Sequence, residues 1–192
     1  MSDVPEARVA NREKNLAALT SVLAAVLLTG LKLVVGLLTG SLGILAEAAH
    51  SGLDLAAALM TFFAVRIAGR PPDAHHTYGH GKVENLSALF ETLLLLATCV
   101  WIIYEAIQRL FFRAVEVEVN IWGFAVMAIS VTVDINRSRM LYRTAQKHKS
   151  QALEADALHF ATDIWSSSVV ILGLGGVWLG ARLGPRWAFL IH

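Results

Sequence analysis

The sequence predicts an all-α membrane protein. Of its 192 residues 56% are hydrophobic and only 16% charged, and the apolar residues come in blocks long enough to cross a hydrocarbon layer as helices. Glycine, proline and charged residues gather between those blocks, and the blocks do not alternate apolar with polar residues as a half-buried strand would.

Five spans follow in order. The first covers about Leu16 to Thr39 and the second Leu42 to Val65, separated by the tight turn Gly40 to Gly43. Pro71 and Pro72 end the second, because proline removes a backbone donor and disfavours helix in the residue before it. The third runs from Leu86 to Phe111 and the fourth from Ile121 to Ile135 or beyond. The fifth runs from Ala157 to Leu179, with a start near Gln151 as the alternative. After Gly184 and Pro185 a short apolar stretch, Trp187 to Ile191, reads as the beginning of a sixth. The polar opening MSDVPEARVANREKN is not a cleavable signal peptide.

Lysine and arginine mark the sides of the membrane. Arg8, Arg12 and Lys14 precede the first span, Arg66, Arg70 and Lys82 lie between the second and third, and Arg137 to Lys149 carry five basic residues between the fourth and fifth. The opposite connections are Gly40 to Gly43 and a stretch with Arg113, Glu116 and Glu118. The amino terminus is therefore expected in the cytoplasm, with residues 1–14 as a cytoplasmic segment. A net charge of +1, with basic residues dispersed between spans, does not suggest a nucleic-acid partner, and none is expected. The lone Cys99 allows no intrachain disulfide.

The chemistry is concentrated in two copies of one spacing. His50 and Asp54 stand four apart in AEAAHSGLDLAAALM, and His159 and Asp163 four apart in ADALHFATDIWSSSVV. Positions four apart share a helix face. With a rise of about 1.5 Å per residue, Asp54 lies about 18 Å from the outer end of its span, and Asp163 about 9 to 18 Å from the inner end of its own. Both carboxylates fall near mid-membrane, and the antiparallel spans close four ligands around one point. Ionisable groups at that depth are costly and mark ion pathways. The bland alternative is an interhelical hydrogen-bond network that only joins helices. Two imidazoles and two carboxylates suit tetrahedral Zn(II), and the two negative charges balance the ion. Calcium and alkali ions favour more oxygens and Cu(I) favours sulfur. Co(II), Cd(II), Fe(II) and Ni(II) are not separated from zinc by ligand type alone.

GSLGILAEAAHSGLDLAAAL, HTYGHGKVENLSALFE and ALEADALHFATDIWSS together closely resemble the transmembrane part of the cation diffusion facilitators, proton-coupled exporters of zinc and related metals. The resemblance spans Asn15 to Trp187. It implies a six-helix cation-efflux transmembrane bundle over residues 15–192 with the sixth helix only begun, and the family's cytoplasmic ferredoxin-like domain absent after His192. It also implies a homodimer with protomers alternating between inward-facing and outward-facing states, and His50, Asp54, His159 and Asp163 as the site of the transported ion, on the second and fifth helices. Members with histidine at the first of these positions resemble zinc-selective transporters.

The resemblance further implies a loop zinc site at Asp73, His76 and His80 in PPDAHHTYGHGK, with His75 as the alternative to His76. The bland reading there is a solvated connector. Lys82 resembles a lysine that forms a salt bridge between helices or protomers. Glu47, Glu91 and Asp156 are candidates for lining the ion path or supporting a ligand, Asp134 is placed to pair with Arg137, and Lys32 to pair within the bundle.

The expected activity is efflux of a divalent metal, Zn(II) first, by proton antiport in a multi-pass protein of a bacterial inner membrane, with metal ions, protons and membrane lipid as partners. A membrane metal-binding or sensing module and a broader Cd, Co, Fe or Mn transporter are the alternatives. An intramembrane zinc enzyme is disfavoured: HExxH does not occur, and all four residues are needed to fill the shell.

Overall fold

A computed structural model of the chain describes residues 4–111 and 121–183, with side chains of the last helix as far as Ser168. The stretch with Arg113, Glu116 and Glu118 and the apolar segment from Trp187 lie outside the described residues. Five helices follow one another: α1 (Val4–Thr39), α2 (Leu42–Ala68), α3 (Lys82–Phe111), α4 (Ile121–His148) and α5 (Gln151–Leu183).

Several boundaries differ from the sequence reading. α1 begins at Val4, twelve residues before the first apolar span, because its polar first turns dock on other helices: Asn11 donates to the carbonyl of Gly69, and Glu13 pairs with Lys147 and His148 beyond the end of α4's apolar run. α4 likewise continues through its charged half to His148. α5 starts at Gln151, the earlier of the two alternatives.

The connections follow from local chemistry. Gly40 adopts φ +66°, the left-handed conformation that glycine enters without a Cβ clash. Ser41 then caps α2, its hydroxyl accepting from the N–H of Ile44 at 3.5 Å. α1 and α2 run back to back so closely that a Cβ added to Gly36 would meet Leu45 Cδ2 at 2.8 Å. α4 and α5 are joined by Lys149 and Ser150, with Lys149 at φ 50°.

α1 packs on α2 and α4, α5 on α4, α3 and α2, and α3 on α2. Ten of the eighteen buried apolar side chains among the described residues are alanines, so the backbones approach closely, as in helix packing within lipid. The largest buried groups, Phe160, Leu141 and Leu153, form a core with Ala17, Ala18 and Val65. Large apolar side chains point outward instead: Leu27 is 73% exposed, Leu38 82% and Trp101 61%. An apolar exterior over a small and polar interior matches a protein whose solvent is hydrocarbon.

Among the described residues three stretches qualify as spans by length and composition: Glu6–Thr39, Leu42–Ala68 and Lys82–Tyr104. Of the other two spans expected, α4 has its apolar run interrupted at Asp134 and then by Arg137, Arg139 and Arg143, and α5 has side chains described only as far as Ser168.

The basic ends of the helices meet at one end of the bundle. Lys14 Nζ lies 2.6 Å from Glu84 Oε1, and Ser150 donates to the other oxygen of Glu84. One carboxylate thereby joins the starts of α3 and α5 to α1. Lys82, expected to form a salt bridge, is exposed.

Candidate metal centre

Two buried faces of α2 and α5 meet inside the bundle. On α2, His50 and Asp54 lie beside the buried Ser51, Ala57 and Ala58, of which Ser51 meets Lys32 and Ala58 packs with Val22 and Ala25 of α1. His159, 3% exposed, and Asp163 face them from α5.

The four polar ends converge. His159 Nε2 stands 3.3 Å from Asp54 Oδ1 and 3.6 Å from Asp163 Oδ2. His50 Nε2 stands 3.8 Å from Asp163 Oδ1 and 3.9 Å from Asp54 Oδ1. Each histidine thus faces both carboxylates, one within its own helix and one across. Tetrahedral Zn(II) with bonds of about 2.0 to 2.1 Å has ligand atoms about 3.3 to 3.4 Å apart. The observed separations start at that edge and run slightly wider. His50, Asp54 and Asp163 each offer a ligand atom within 4.8 Å of the other two, while His159 approaches the carboxylates but does not join that group. Asp163 Oδ2 and His159 Nδ1 are buried and receive no hydrogen bond, which is costly at this depth unless another group completes them.

Charges around the set are themselves paired. Lys32 Nζ reaches Glu47 at 3.2 Å and Ser51 Oγ at 2.8 Å, so the lysine pairs within the bundle and draws Glu47 toward α1. Asp134 meets Arg137 at 3.4 Å. The sequence did not signal the use of Ser21, whose hydroxyl receives Arg137 Nη2 at 2.9 Å and lies 3.2 Å from Asp156. A serine in an apolar run carries no periodic mark, and only the approach of α4 and α5 to α1 gives it partners.

A second cluster lies in the connection between α2 and α3. Asp73 Oδ1 accepts the backbone N–H groups of His75 at 2.9 Å and His76 at 2.7 Å, the local turn expected of aspartate. Those two donors, His76 first, hold the carboxyl below the ordinary carboxylate range. His76 Nδ1 lies 3.2 Å from Asp73 Oδ1, and His80 Nε2 3.3 Å from Asp73 Oδ2. The two imidazole rings stand 4.4 Å apart, and the three residues bring ligand atoms within 4.8 Å of one another. Both adjacent histidines line a groove of about 460 Å³ with Tyr78, Lys82 and Asn85, and of the two it is the His76 ring that reaches Asp73.

A lipid-facing helical bundle with ionisable groups closed inside it defines an integral membrane protein. The chain belongs to the cation efflux family: residues 18–189 match the model of the cation efflux transmembrane domain. Among curated relatives it is 32% identical over 157 residues to a protein of Synechocystis sp. named as an uncharacterized transporter, covering 82% of this chain and 50% of that one. It is 32% identical over 164 residues to the cation-efflux pump FieF of Citrobacter koseri, covering 85% and 54%. A further relative at 32% over 163 residues, covering 85% and 57%, is named as an uncharacterized transporter of Methanocaldococcus jannaschii. The chain spans about half the length of the curated relatives it matches.

Proposed function

We propose that the protein exports a divalent cation, Zn(II) first among them, by exchange with protons, and that His50, Asp54, His159 and Asp163 hold the ion in transit. The observation that carries this reading is the convergence of two imidazoles and two carboxylates, each histidine within 3.9 Å of both carboxylates, on α2 and α5. Two negative charges offset the ion's charge, so the loaded set is close to neutral in surroundings of low dielectric. The family and a relative named as a cation-efflux pump support transport over static binding.

Zn(II) binds neutral imidazole and ionised carboxylate, so its arrival displaces protons and protons returning from the other side displace the metal. The basic end of the bundle faces the cytoplasm on the positive-inside rule, with residues 1–14 on that side and the amino terminus within. In a plasma membrane with an acid exterior, metal loads from the less acidic cytosol and is expelled outward. The protein works as a homodimer, and residues 15–192 belong to its transmembrane part. Asp73, His76 and His80 take a second zinc ion in the cytoplasmic loop.

The test is zinc flux in proteoliposomes under an imposed pH difference. Asp54→Ala and Asp163→Ala each remove one ligand and unbalance the charge, and flux should fall by more than the roughly 10- to 100-fold typical of losing a supporting partner alone. Wild-type flux in either folded variant overturns the assignment. Zinc binding without flux in the parent protein favours a metal-binding module instead.

A further inference from the structure

We propose that Lys32 is a resident counter-charge that keeps Glu47 out of the metal set, so that the transported ion is held by two carboxylates and not by three. This rests on the reading of His50, Asp54, His159 and Asp163 as the ion's site.

Glu47 stands on the side of α2 that carries two of the four. It precedes His50 by three residues and Asp54 by seven, about one turn and two turns of helix, so the three lie along one stripe. A carboxylate there has the chemistry of a further ligand for a divalent ion. In the structure it is engaged elsewhere. Lys32 of α1 places Nζ 3.2 Å from Glu47 Oε2 and 2.8 Å from Ser51 Oγ. Glu47 and Ser51 are themselves four apart, so one ammonium spans a full turn of α2. Thr29, one turn before Lys32, donates to the carbonyl of Ser51 at 2.9 Å, which fixes the two helices against each other at this level.

The burial of the pair is lopsided. The Lys32 side chain is 6% exposed and that of Glu47 45%. A buried ammonium is costly, and apolar side chains of similar volume would join α1 to α2 at least as well. The charge count gives the lysine a use. Two carboxylates balance a divalent ion, Lys32 balances Glu47, and Asp134 has a cation of its own in Arg137 at 3.4 Å. Without Lys32 a third negative charge would act on the ion from the next turn of α2 and hold it more tightly. An ion that has to leave again must be bound weakly enough to go.

Zinc titration calorimetry of the purified full chain tests this, in a background of His76→Ala with His80→Ala that removes the loop cluster. Lys32→Met should tighten zinc binding about tenfold and Glu47→Gln should weaken it about tenfold, and the double variant should return to the affinity of the background. Glu47→Gln keeps an oxygen for Lys32 but leaves its charge unbalanced beside the set. Loss of a merely structural pair would weaken binding from either side, so opposite signs are required. Changes in the same direction, or no change, overturn the proposal. If Lys32→Met does not fold, Glu47→Gln decides alone, and unchanged or tighter binding overturns the proposal. Asp54→Ala in the same background separates this inference from the reading beneath it. Undiminished zinc affinity in Asp54→Ala overturns the four-residue set and the role of Lys32 with it, whereas lost affinity there beside same-sign changes overturns the role of Lys32 only.

Discussion

His50 is the residue on which metal choice is most easily tested. Its Nε2 reaches both carboxylates from the more open side of the set, with a side chain 29% exposed against 3% for His159. Under the proposed function, His50→Asp exchanges a nitrogen for an oxygen donor and adds a negative charge, so discrimination against Mn(II) and Cd(II) should loosen. The check is competition between ions in the flux assay; an unchanged profile removes His50 from selectivity. Asp73 offers a second residue-scale prediction. Its carboxyl is held below its ordinary range by the N–H groups of His76 and His75, so its contribution to the loop is present above that range and lost only as pH falls through the lowered value. Asp73→Asn keeps an oxygen for the two N–H groups but loses the charge, so the turn should persist while loop zinc affinity drops. Equal zinc binding by the variant, measured by titration calorimetry, would remove Asp73 from that site.

At the scale of the elements, the α1–α2 hairpin separates two roles for glycine. Gly40 has open space where a Cβ would go, but its φ of +66° makes any side chain strained. Gly40→Ala should cost about 1 to 2 kcal/mol, the penalty of left-handed backbone for an L-residue. Gly36 has ordinary helical geometry, and an added Cβ there would lie 3.2 Å from the backbone nitrogen of Leu45 as well as against its side chain. Gly36→Val should therefore separate the two helices and cost more than Gly40→Ala. Graded unfolding of both variants checks the order; a smaller loss for Gly36→Val would mean that the hairpin is not tightly packed there. The pairing of Glu13 with Lys147 and His148, and of Glu84 with Lys14, explains why the polar ends of α1 and α4 stay helical instead of fraying.

At the scale of the whole molecule, the reading turns on linkage between metal and protons. If zinc binding requires neutral imidazoles, protons should be released on binding and the heat of binding should vary with the ionisation enthalpy of the buffer. Flux should rise with an opposing proton gradient. Zinc binding without proton release, together with flux indifferent to the gradient, would point to a uniporter.

Much of this was legible in the chain. Helical class, the span starts at Leu42 and Ile121, and the paired spacing of His50 with Asp54 and His159 with Asp163 follow from apolar run length and from the 3.6-residue repeat, which are local properties. The helical ends that carry charge were not legible, since Val4 to Lys14 and Arg137 to His148 gain their stability from partners distant in sequence. The same holds for His76 over His75: adjacent residues have the same composition and nearly the same position, and only the turn around Asp73 aims one of them. Spacing along a helix determines which side chains share a face, whereas the meeting of two faces is decided by helix packing, and that is where the approach of His50 to Asp163 and of His159 to Asp54 arises.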